Sequence, residues 1–86
     1  MTDPVKRKDN LDSGAAGEYM IVVRGHLDES MSDWLEGMKI TLSSRPGEPA
    51  VTTIVGRLRD QAALRGVVET LYESHSPILS IERLGD

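Results

Sequence analysis

The sequence predicts an α+β domain in which one short helix and one long helix pack against a four-stranded antiparallel sheet. Three observations predict it. Four stretches of strand length are rich in Val, Ile, Leu and Met, and the clearest of them alternate apolar and polar residues as a half-buried strand does. One longer stretch after Asp60 repeats apolar residues at spacings of three and four, which makes a helix with a single apolar stripe. Gly and Pro residues mark the joints between these stretches.

Strand one is Tyr19-Met20-Ile21-Val22-Val23, opening at Glu18. Its period of two sets Tyr19, Ile21, Val23 and Leu27 on one face and Arg24 and His26 on the other. Met20 and Val22 make the second face apolar as well, so the strand is expected in the middle of its sheet. Asp28 to Gly37 predicts a helix of about two turns, capped by Ser30 or Ser32 and stopped by Gly37, with Trp34 and Leu35 turned inward. Two turns span only about 11 Å, short for a crossover between parallel strands.

Met38-Lys39-Ile40-Thr41-Leu42 forms strand two, with Met38, Ile40 and Leu42 on its buried side. Arg45-Pro46-Gly47-Glu48 has the chemistry of a type II turn, because Pro presets one central residue and Gly supplies positive φ at the next. Val51 to Leu58 then returns as strand three, hairpinned to strand two. Asp60 caps the long helix, whose stripe is Leu64, Val67, Val68, Leu71 and Tyr72. Gly66 either lets this helix approach the sheet or is merely tolerated there. Ser74-His75-Ser76-Pro77 ends the helix, and Ile78 to Leu84 is strand four. The order β, short α, β, β, long α, β fits a ferredoxin-like βαββαβ sheet. The alternative is a β-meander in which Asp28 to Gly37 is a helical loop.

Residues 1–17 carry Pro4, mixed charges and Ser13-Gly14-Ala15-Ala16-Gly17, the composition of a disordered tail. Residues 18–86 are the single domain. Lys6, Arg7 and Lys8 cancel against Asp3, Asp9 and Asp12, so the net charge of −4 belongs to that domain. The isoelectric point near 5.1 and the scattered arginines make general nucleic-acid binding unfavourable. The basic triplet reads as a solubilising tail rather than a contact arm. No run approaches the roughly 20 apolar residues of a membrane span. The charged start has no apolar stretch behind it, so no secretory signal is expected and the expected location is cytoplasmic.

The chain has no Cys, no Phe, one Trp and two Tyr. A domain of roughly 70 residues with an aliphatic core is close to the size at which a single core is marginal. Disulfides and thiol-bound metals are excluded, which leaves association with a second copy as the expected source of extra burial.

Arg24, His26 and Asp28 are the densest polar group. On an extended segment all three would point one way, where His26 beside a carboxylate could take a proton and Arg24 could hold an anion. A charged strand end explains the same residues without chemistry. Trp34 is a candidate contact residue, although a Trp on a short helix more often closes the edge of a core. His26 and His75 stand far apart in sequence, no further ligand lies at helical spacing, and no metal site or cofactor is expected. No glycine-rich phosphate loop follows a strand, and no Gly-x-Ser-x-Gly elbow occurs.

Arg24-Gly25-His26-Leu27-Asp28, Asp33-Trp34 with Gly37, and Gly56-x-Leu58-x-Asp60-Gln61-Ala62-Ala63-Leu64-x-Gly66 resemble a family of short uncharacterised prokaryotic proteins. Leu79-Ser80-Ile81-Glu82-Arg83-Leu84 completes the resemblance, which implies a stand-alone domain and no particular activity. The residues themselves favour a non-enzymatic interaction or regulatory module that acts as a small homodimer, with a protein partner as a further expectation. An uncovered sheet face bearing Met20, Val22 and Ile54 or Ile81 is its expected contact surface. The alternative is a small-molecule-binding domain or cofactor-free enzyme that uses Arg24 and His26, with Trp34 beside them.

Overall fold

A computed structural model describes residues 16–85. The strands are β1 (Gly17–Arg24), β2 (Lys39–Ser43), β3 (Val51–Leu58) and β4 (Ile78–Gly85). They form one sheet in the order β2-β3-β1-β4, and every neighbouring pair is antiparallel. The described residues are therefore mixed α+β, with a four-stranded antiparallel sheet and two helices, a 3-10 helix (Glu29–Leu35) and an α-helix, α1 (Gln61–Glu73). A meander would pair β1 with β2. Here β3 lies between them and pairs with both.

β1 alternates as its sequence predicts. Tyr19, Ile21 and Val23 are buried, while Met20 and Val22 are half-buried on the other side. The strand is internal, between β3 and β4. It starts at Gly17, one residue before the expected boundary, and residues 1–15 of the expected tail lie outside the described residues. On β3 the inward positions are Thr52, Ile54 and Leu58, with Gly56 between. A Cβ on Gly56 would lie 2.8 Å from Met38 Cγ and 3.0 Å from Met38 Cα, so the missing side chain is the space that Met38 fills. Met38 and Ile40 are buried as expected. Leu42 is 44% exposed, because β2 is an edge strand and its far end runs past the core.

The hairpin between β2 and β3 turns at Pro46-Gly47. The Glu48 amide donates to the Arg45 carbonyl at 3.0 Å, and Gly47 has φ +82°, the type II geometry.

The first helix differs from expectation. It is a 3-10 helix, and its cap is Asp28 instead of Ser30 or Ser32: the Asp28 carboxylate accepts from the Ser30 amide at 2.9 Å. Glu36, at φ +59°, terminates it ahead of Gly37. The 3-10 form suits the distance to be covered. β2 enters the sheet in the row of Met20, four residues back from Arg24, or about 13 Å along a strand. Seven 3-10 residues at about 2.0 Å each span about 14 Å, whereas the same seven in an α-helix would reach only about 10 Å.

α1 is capped by Asp60, whose carboxylate accepts from the Ala63 amide at 2.8 Å. Its buried positions are Ala63, Val67 and Leu71, spaced by four. Leu64 packs at the margin of the core. Tyr72, expected within the stripe, is 81% exposed. α1 packs against the 3-10 helix and β3, and Tyr72 borders the gap between the end of α1 and β4, which leaves its ring uncovered. Gly66 is exposed and has open space at its Cβ position, so no close approach to the sheet requires it. Ser74 ends the helix, His75 takes φ +59°, and the Ser76 amide closes on the Leu71 carbonyl at 3.0 Å.

β4 pairs with β1 through two register shifts. Ile78 and Ser80 pair with Val23 and Val22, and Arg83 and Gly85 pair with Tyr19 and Glu18, so Leu79 and Leu84 are the extra residues of β-bulges. Their exposure, 51% and 49%, follows from that position on an edge strand. Among the described residues no helix is long and apolar enough to cross a membrane.

Candidate functional site

The segment that follows β1 is shaped by a buried hydroxyl. Thr52 is wholly inaccessible to solvent. It donates to the Gly25 carbonyl at 2.6 Å and accepts from the Leu27 amide at 3.1 Å. The Gly25 amide in turn donates to the Ala50 carbonyl at 2.8 Å, and Gly25 adopts φ +100°, which L side chains rarely tolerate. The extended run therefore stops at Gly25. The shared face expected for Arg24, His26 and Asp28 does not continue through it, because the backbone turns between the first residue and the second.

Arg24 is exposed, paired with Val51 at the end of β1, and its amide donates to the Pro77 carbonyl at 2.9 Å. His26 is exposed in the connecting loop. Asp28 is engaged as the helix cap. Its carboxyl is held below its ordinary range, first by the Ser30 backbone amide, then by the Ser30 side chain, with a smaller contribution from the charge of His26. The structure thus sets Asp28 to a local hydrogen-bonding task. Thr52, which organises the segment, was not among the sequence candidates. The signal was there: a hydroxyl residue at an inward position of β3, between Ile54 and the strand end, requires a partner once buried.

Trp34 is 72% exposed and does not close the core. Successive residues of a 3-10 helix are about 120° apart, so burying Leu35 turns Trp34 outward. Its carbonyl accepts from Thr70 Oγ1 at 3.5 Å, which ties the 3-10 helix to α1. Arg24, at the tip of β1 on the other face of the sheet, does not join it.

Two surfaces stand out instead. The first is the sheet face opposite the helices. Its centre is formed by Met20 and Val22 of β1 and Val51 and Val55 of β3, all half-buried, with Thr53 paired to Val22. Ile54 is not part of it, being in the core. Ile81 pairs with Ile21 and so lies on the helix side. The expected face is therefore present with Met20 and Val22, while both isoleucines belong to the opposite one. Side chains alternate along a strand, and the register of each pair decides which set faces the helices.

The second surface is a groove of about 540 Å³ between the end of α1 and β4, lined by Val68, Tyr72, His75, Ser76, Pro77 and Ile78. It exists because α1 does not reach over β4. Ile81 is 46% exposed further along the same strand. His26 and Arg24 do not line this groove. Among the described residues no group of three His, Cys, Asp or Glu is placed to hold a metal ion.

A family model described as Domain of unknown function (DUF8691) matches residues 18–82. No curated protein and no solved structure matches the chain.

Proposed function

The chain belongs to this family of unknown function, and we propose that it is a non-enzymatic interaction or regulatory module, a small homodimer joined through the open face of its sheet. One observation carries the reading. Both helices contribute to the core on the side of Tyr19, Ile21, Val23 and Ile54, and among the described residues no element covers Met20, Val22, Val51 and Val55 on the other side. A sheet covered on one side by a small aliphatic core gains from burying its second apolar face. The strand order, with β3 inserted between β1 and β2, supports assigning the sheet to the ferredoxin-like class, the 3-10 helix taking the place of its first crossover helix.

The test is sedimentation of the full chain over a concentration series, beside the variant Val22→Glu. Wild type is expected to dimerise and the variant to remain a folded monomer, since a desolvated carboxylate at the centre of an interface has no partner. A wild-type chain that stays monomeric up to millimolar concentration sinks the reading.

The groove favours a second reading, a small apolar ligand held between α1 and β4. Its volume falls within the range of small-molecule sites. This reading moves the candidate residues away from Arg24 and His26, toward Val68, Tyr72 and His75. Anilinonaphthalene sulfonate should bind the folded chain and lose affinity in Val68→Asn. No binding to the folded wild type counts against it.

A further inference from the structure

Resting on the sheet-face reading above, we propose that a second copy of this chain docks with its two-fold axis along the strands, between β1 and β3, so that Lys39 of each copy meets Glu82 of the partner subunit. The register of the sheet supplies the argument. Lys39 pairs with Val55, Val55 with Met20, and Met20 with Glu82, so the four residues form one row across the open face. The row reads base, apolar, apolar, acid. Its ends stand three strand spacings apart, about 14 Å, too far for Lys39 and Glu82 to pair within one chain. Arg59 and Asp60 form an ion pair away from this row.

Rotation about an axis along the strands stacks β2 of one copy over β4 of the other. Lys39 then faces Glu82 of the partner subunit, and Val55 faces Met20 of the partner subunit, twice over by symmetry. Packed sheets lie about 10 Å apart, a gap that a Lys and a Glu side chain close together. In the neighbouring row Arg57 and Glu18 are already direct neighbours across β3 and β1, and the rotation also sets Arg57 over the partner's Glu18. A two-fold axis across the strands would instead stack each outer strand on its own copy. On this face β2 offers no acid and β4 no base, so Lys39 and Glu82 would lose their counter-charges. Side-by-side pairing of β4 edges is disfavoured by its two bulges and by Glu82 and Arg83. Like-sign contacts exclude wrong arrangements, and opposite-sign contacts select the register.

A four-stranded face is small for a specific interface, so the association is expected to be weak and concentration-dependent. The experiment is sedimentation equilibrium of the full chain as wild type, Lys39→Glu, Glu82→Lys, and an equimolar mixture of the two variants. Both positions are exposed at strand surfaces, and circular dichroism verifies that each variant is folded. Each single variant should dissociate on the order of tenfold more readily, because symmetry turns both attractive contacts into repulsive ones. The mixture should return to wild-type affinity as a heterodimer, since every altered side chain then meets its opposite charge. Single variants with unchanged affinity, or a mixture no tighter than either variant alone, overturn the proposed axis. If Val22→Glu abolishes the dimer but the mixture shows no recovery, the sheet face stands and the axis is wrong. If the dimer survives Val22→Glu, both readings fall.

Discussion

At Thr52 a hydroxyl shut off from water answers two backbone groups at once, the Gly25 carbonyl and the Leu27 amide. Thr52→Val keeps the shape of the side chain and removes both bonds. Leaving a buried donor and acceptor without partners costs about 1–3 kcal/mol, so the variant should unfold at correspondingly lower denaturant concentration. An unchanged midpoint would show that water reaches the turn. Asp28 makes a second prediction at this scale. Its pKa is lowered in the fold by the Ser30 amide, so the folded state favours the charged form. The cap therefore contributes fully above the ordinary carboxylate range, and that contribution is lost as pH falls through the depressed value. Exchange of the Ser30 and Met31 amides should accelerate over that acidic window. Asp28→Asn, which can still cap, should remove the pH dependence.

Two glycines of different standing distinguish the elements. Gly66 sits on the exposed side of α1 with open space at its Cβ position. Gly66→Ala should stabilise the fold by about 1 kcal/mol, the ordinary difference in helix propensity. Gly56 lies on β3 beneath Met38, and Gly56→Val would drive methyl groups into that side chain and its backbone. Overpacking of this kind costs about 1–3 kcal/mol, and thermal melts of the two variants should move in opposite directions. The sequence marks both positions only as glycine. The distinction comes from the register that brings Met38 beside Gly56, together with the orientation of α1. The same orientation separates Tyr72 from Val67 and Leu71, although all three belong to one stripe by spacing. A stripe of five apolar residues is wider than the sheet beneath it can cover once β4 lies outside the helix footprint.

At the scale of the whole molecule, the coverage of the sheet on one side among the described residues has a thermodynamic consequence. If the open face is shared between two copies, folding and association are linked, and the melting temperature should rise with chain concentration. A melting temperature independent of concentration over a range in which sedimentation detects dimer would place the interface outside the cooperative unit. The linkage should weaken at high salt, because the contacts that set the axis are exposed charges.

What the sequence determined by itself is local. Alternation in β1, the Pro46-Gly47 turn, the Asp60 cap and the helix stop before Pro77 are each dictated by neighbours a few residues away, and each is legible as spacing or turn chemistry. The α+β class follows from adding those elements up. The tertiary structure decided which strands are neighbours and which isoleucines face the helices. It also exposed Trp34 and Tyr72, and placed Arg24, His26 and Asp28 on a bend instead of a shared face. These depend on contacts between residues far apart in the chain, such as Thr52 with Gly25 and Met38 with Gly56, whose partners no local pattern names. The row from Lys39 to Glu82 is the clearest instance. Its residues come from four strands, and only the pairing register aligns them.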